Sequence, residues 1–329
     1  MNFRTQISIS KSNHPIDYNS RVVSLGSCFA ENIASKFDYY KFQNEVNPFG
    51  IIFNPVSIEK IIERVIQKNH FTEKDIFFHN DLWHSFEVHS ELSQPNKEVF
   101  LNTLNLLIDS TFLEIKEASH IVITYGTSWI YKSNASQSVV ANCHKVPQKA
   151  FQKALLSIEI IEESIQNTVA LIQLINPEVQ FIFTISPVRH LKDGFVENQL
   201  SKSHLISALH SSIFHLPSSN YFPSYEIMMD ELRDYRFYSQ DMLHPNQLAI
   251  DYIWERFVQT NITEDVYPLM EEIRSIQKSL LHKPFNPESE SHQKFLKQLQ
   301  QKINQVQNSY SHIQFNTWQP EEINPQKHK

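Results

Sequence analysis

Ser27 and Cys28 stand where a short apolar run (Val22, Val23, Leu25) stops at Gly26 and a helical pattern begins. A hydroxyl or thiol on such a strand-to-helix turn meets backbone N–H groups and the positive end of a helix dipole, which favour a developing anion. Serine is also among the preferred helix N-caps, so Ser27 has a plain structural use as well as a nucleophilic one. Cys28 points away from its neighbour in either extended or helical geometry and reads as a small buried hydrophobe. A serine nucleophile needs a base, and His244 stands out among 16 histidines. Asp241 lies three residues before it, so a carboxylate can meet one imidazole nitrogen within a single turn while the other nitrogen faces outward. Pro245 suits the first turn of a following helix. The order Ser, Asp, His along the chain is one of the orders used by hydrolase triads.

Other candidates surround these three. Cys143 and His144 in "VANCHKVPQKAF", with His190 in "SPVRH", match no standard structural-zinc spacing, so neither a metal nor any other cofactor is expected. Asn142 and His144 are expected at the mouth of a site instead. Arg189, His190 and Lys202 follow a strand end and could anchor an anionic group, arginine being suited to bidentate contacts. Lys202 equally fits a solvated helix face. Trp129 and Tyr131 could stack on a sugar or line an acyl pocket, though aromatics are more often core.

The elements that must position these residues follow from periodicity. Strands are expected over 21–25, 121–126 and 179–188, rich in β-branched and aromatic residues and ending at Gly26, Gly126 and Ser186-Pro187. Helices are expected over 30–40, 57–68, 97–118, 149–175 and 246–257, where apolar residues recur at three and four. Alternation of strand and helix implies a parallel sheet covered on both faces, with ligands beyond the carboxyl ends of the strands. After Thr260 the composition turns to Glu, Lys, Gln and Asn, with helical periodicity in 265–281 and 289–308 and a frayed-looking end. The expected division is a functional domain over 1–260 and a helical appendage over 261–329. The aromatic- and histidine-rich stretch 69–96 has no place in a minimal sheet and reads as a cover element or small subdomain near the site.

With 329 residues, 41% of them apolar and 20% charged, the chain can bury a sizeable core. A net charge of −7 gives no electrostatic reason to expect nucleic acid. Two cysteines make no disulfide framework, no secretory signal is visible, and no apolar run reaches membrane-spanning length. The expectation is a soluble cytoplasmic protein without a membrane or nucleic-acid partner.

The stretch GSCFA, residues 26–30, is the signature that names the GSCFA family, itself similar to the SGNH/GDSL-type esterases and acyltransferases. The resemblance runs from Ser24 to about Phe257 and rests on "SLGSCFAENI", "NPFGIIFNP", "ITYGTSWIY", "NCHKVP", "SPVRH" with "SKSHL", and "DMLHPN". It implies a three-layer α/β/α, flavodoxin-like domain in which Ser27 is the nucleophile, Asp241 the orienting acid and His244 the base. It also implies an oxyanion hole from the N–H of the serine, the N–H of Gly50 and an Asn side chain. The third donor is where this sequence departs. Gly-x-Asn is expected after "IVIT", yet the chain reads Gly126-Thr127-Ser128, offering only hydroxyls. One lost oxyanion donor costs about 2.7–4 kcal/mol. Asn47 and Asn142 are the candidate replacements.

Three functional classes result. The leading one is a serine esterase or acyltransferase acting on a small acyl ester, an O-acetylated carbohydrate by analogy. The second is a non-catalytic carbohydrate- or acyl-ligand-binding protein on the same fold, which the missing amide favours. The third is a scaffold that self-associates through the C-terminal helices.

Overall fold

Val22, Val23 and Leu25 prefer the pleated surface of a sheet, and they are buried in strand β1 (Arg21–Gly26). A computed structural model describes residues 5–315 of the chain. Along it follow α1 (Cys28–Tyr39), β2 (Gln43–Val46), α2 (Pro55–Ile66), β3 (Phe77–His79), β4 (Leu82–His84) and α3 (Lys97–Glu117). Then come β5 (His120–Tyr125), β6 (Trp129–Ser133), β7 (Val139–Val140), β8 (Phe151–Leu155), α4 (Ile158–Gln173), β9 (Gln180–Ile185), α5 (Phe195–Phe214) and β10 (Ser219–Phe222). The short turn α6 (Ser224–Glu226), α7 (Gln247–Asn261), α8 (Tyr267–Leu280) and α9 (Glu290–Ser309) complete the order.

The central sheet is parallel throughout, in the order β10-β9-β5-β1-β2. Alternate residues feed two cores, as the two-residue period of a strand requires. Val23, Leu25, Ile121, Ile123, Phe181 and Phe183 pack with residues of α2 to α5. Val22, Val122, Ile182 and Phe222 face Phe29, Ile33 and Phe37 of α1 and Ile253, Trp254 and Phe257 of α7. The result is a three-layer α/β/α domain with flavodoxin-like strand order. Its order reverses between β1 and β5, and that reversal is where ligands settle in open α/β sheets.

The C-terminal helices are present as expected and close the second core, to which Met270, Ile273, Ile276, Leu299, Ile303 and Val306 belong. The stretch 316–329, which reads as frayed, lies outside the described residues. Among the described residues no helix is long and apolar enough to cross a membrane.

One expectation is corrected. The helix read over 149–175 begins only at Ile158, because Phe151–Leu155 instead pairs antiparallel with β6 in a small sheet of order β7-β6-β8. Ser157 caps the shortened helix, its hydroxyl accepting from the Ile160 N–H. The stretch 69–96 holds the hairpin β3–β4, whose turn residues Asn80 and Asp81 both have positive φ, 46° and 61°. The hairpin region is tied to α2 through Arg64, which pairs with Asp75 and Glu87 and lies over the Phe71 ring. It also meets the small sheet, where the Ala141 N–H donates to the Phe86 carbonyl. On its other side the His89 N–H donates to the Phe49 carbonyl, beside Gly50.

Candidate active site

Gly26 lets the chain leave β1 at φ +130°, and a Cβ there would lie 2.1 Å from the Thr124 carbonyl oxygen. Ser27, next, is the N-cap of α1. It is 1% exposed; its Oγ accepts from the Phe29 N–H at 3.3 Å and its own N–H donates to the Thr124 carbonyl at 3.0 Å. Cys28 is the first residue of α1 and is only half-buried, so the expectation of a buried hydrophobe is corrected. It opens the first helical turn, directly after the cap.

Asp241 and His244 meet as the spacing predicts. His244 Nδ1 lies 2.6 Å from Asp241 Oδ2, and Asp241 Oδ1 accepts from the N–H groups of Leu243 and His244. These backbone donors, with the imidazole behind them, hold the Asp241 carboxyl down at about 2. Both side chains are exposed, and His244 Nε2 has no partner among the described residues. Asn246 then caps α7, accepting from the Ala249 N–H and donating to the Arg236 carbonyl.

The remaining candidates distribute as follows. The Gly50 N–H donates to the Asn47 carbonyl at 2.7 Å, and Gly50 (φ +72°) packs against His89. Asn47 spends its side-chain oxygen on the Gly26 N–H, and its amide reaches Glu31. Thr127 and Ser128 are buried and bound to Ser201 of α5. The N–H groups of Ser27 and Gly50, which the resemblance assigns to an oxyanion, are thus both engaged within the chain. His144 is 3% exposed, hydrogen-bonds the Ser85 carbonyl and lies tilted against the His84 ring, the centroids 4.6 Å apart. Burial pushes its imidazole down to about 4. Asn142 holds the His144 N–H, so both belong to the junction between the hairpin region and the small sheet. Trp129 donates to the Glu197 carbonyl and lies under Lys153; Tyr131 meets Phe151 edge-on.

Arg189 donates to the Tyr238 hydroxyl, and its backbone N–H reaches the Leu243 carbonyl, so it braces the loop that carries His244. His190 stacks on Phe53, and its Nε2 lies 3.2 Å from where a Cβ on Gly126 would stand. That nitrogen is buried without a partner, and burial, Lys202 and His244 push the imidazole down to about 3. Lys202 is fully buried. Its ammonium donates to the Gly126 carbonyl at 2.6 Å and the Ser186 carbonyl at 2.7 Å, clamping the ends of β5 and β9. Burial lowers its pKa to about 7, and Cys28 and Glu226 act the other way. Sequence reasoning saw Lys202 as an anchor or a solvated residue; nothing in its helix pattern signals a clamp.

No group of three or more His, Cys, Asp or Glu among the described residues is arranged to hold a metal. The crevice beside Gly26, Asn47 and Gly50 is about 10 Å³, room for roughly one water. A larger cavity of about 670 Å³ lies between the N-terminal segment and β9–β10, away from Ser27 and His244.

A flavodoxin-like α/β/α protein with a Ser-Cys step after its first strand and an Asp-His pair before its last sheet-covering helix is therefore the class defined here. The chain belongs to the GSCFA family, whose model matches residues 21–257, and the C-terminal domain model of GSCFA domain proteins matches residues 273–319. No curated protein matches it. Among solved structures it is similar to a protein of Bacteroides fragilis NCTC 9343 described as a putative acylhydrolase. That likeness has a TM-score of 0.37 at 10% identity and covers 80% of this chain and 91% of the other.

Proposed function

We propose that the protein is an acyl hydrolase or acyltransferase that forms a covalent acyl-enzyme at the β1–α1 junction. His244 is the general base and Asp241 its orienting carboxylate. The observation that carries this reading is the 2.6 Å contact of His244 Nδ1 with a carboxylate fixed by two backbone donors. It places the imidazole proton on Nδ1 and leaves Nε2 to exchange protons with a nucleophile and a leaving group. The sequence reading names Ser27 as that nucleophile, with a small acyl ester as substrate and an O-acetylated carbohydrate as the preferred class. Water or an acceptor hydroxyl resolves the acyl-enzyme.

The test is release of nitrophenolate from 4-nitrophenyl acetate by the full chain. His244→Ala is expected to lower turnover by roughly 10²–10⁴-fold, and Asp241→Asn to lower it in the same range, with both variants folded by circular dichroism. Turnover unchanged in His244→Ala refutes the assignment. A second reading, a non-catalytic binding protein, is favoured by the engaged N–H groups of Ser27 and Gly50. A thermal shift with sugars or acyl analogues, in the absence of any turnover, would select it.

A further inference from the structure

We infer that the attacking atom of this site is the Cys28 thiol, with Ser27 serving as the cap that fixes the start of α1. This deepens the acyl-enzyme reading above and rests on it. Two side chains stand at the junction, and the structure treats them differently. Ser27 is 1% exposed, and both its hydroxyl and its N–H are engaged, by Phe29 and Thr124. Cys28 is half-buried, and its N–H finds no carbonyl acceptor among the described residues. The N–H groups of Cys28 and Phe29 both favour its thiolate, as the first-turn donors of a helix do.

The second observation is Lys202. Its side chain is 0% exposed, its ammonium is held by two strand-end carbonyls, and its third N–H has no acceptor among the described residues. Its charge acts on Cys28 and on His190, and the charge of His244 acts on His190 as well. A buried cation with a spare donor suits a site where negative charge appears during a reaction. Burial pushes the Cys28 thiol up, Glu31 adds to this, and Lys202 and the two N–H groups oppose it. The resting group is then a neutral thiol that needs a base, and His244 is that base.

The chemistry balances without an oxidant or cofactor. The thiol proton passes to His244 Nε2 as sulfur attacks the ester carbonyl. The acyl–oxygen bond breaks, the alcohol leaves with that proton, and a thioester remains on Cys28. Water then gives a proton to His244 and attacks the thioester, and the carbon–sulfur bond breaks to restore the thiol. Lys202 touches no substrate in this scheme and acts on the charge of the sulfur.

The full chain is incubated with 4-nitrophenyl acetate, quenched in acid, and the acetyl group located by peptide mass spectrometry before and after neutral hydroxylamine. The inference expects acetyl on Cys28, removed by hydroxylamine as thioesters are, and still on Cys28 in Ser27→Ala. Cys28→Ala is expected to acetylate at least about 10³-fold more slowly. An acetyl group on Ser27 that resists hydroxylamine overturns the inference while leaving the acyl-enzyme reading standing. No acetyl on either residue of the folded wild-type protein overturns both.

Discussion

At Gly26 the chain needs a residue with no side chain, for two independent reasons. Its φ of +130° is one that side-chain-bearing residues rarely adopt, and an added Cβ would collide with the Thr124 carbonyl of the neighbouring strand. Gly26→Ala is therefore expected to destabilise by about 3 kcal/mol or more, read from the urea midpoint. At Asp241 the carboxyl lies at about 2, below its ordinary 3.8, so it remains ionised throughout the range where enzymes are assayed. An acid limb in a pH–rate profile above pH 4 then belongs to another group. The Asp241–His244 pair was legible in the sequence because three-residue spacing constrains two side chains directly. The positions of Asn142, His144 and Cys28 were not. The first two depend on how the hairpin region docks on the small sheet, and the third on the angle at which the chain enters α1.

Helix α5 reaches across the sheet through one buried ammonium. Lys202 joins the ends of β5 and β9, the two strands that carry Gly126 and Ser186. The unfolded chain keeps this proton up to about the ordinary lysine value of 10.5, whereas the folded chain releases it near 7. Between those values the unfolded chain holds more protons, so this group's contribution to stability rises with pH. Compared with Lys202→Met, the wild type is expected to gain stability steadily from pH 7 to pH 10 in parallel denaturant titrations. A difference independent of pH would show that burial does not lower the pKa of Lys202 in the folded chain. Most elements were legible because β1, β5 and β9 are buried on both faces and read as continuous apolar runs. The edge strands β2 (QNEV) and β10 (SNYF) are short and half-polar, and their pairing comes from their neighbours. The strand β8 hid inside an apparent helix because five residues fit either period.

Taken whole, the molecule has two cores on opposite faces of one sheet, and the second is shared with the C-terminal helices. Met270, Ile273, Ile276, Leu299, Ile303 and Val306 are buried there with Phe37 of α1 and Phe257 of α7. Burying each such side chain contributes about 1.5–3 kcal/mol, and together they rival the 5–15 kcal/mol by which a typical domain is stable. A chain ended after Thr260 is expected to lose cooperative unfolding and to aggregate in light scattering. A monomeric, cooperatively folding fragment would contradict this view of α8 and α9. Composition forecast these helices, but not that α1 depends on them, since an amphipathic helix does not name its partner.

Acyl transfer at the end of β1, driven by His244, is most directly tested by the mass of the intact protein after acid quench from 4-nitrophenyl acetate. A single acetyl adduct is expected on the wild type, forming at least about 10²-fold more slowly on His244→Ala. Equal adduct formation in the two proteins, or none on the wild type, would contradict it.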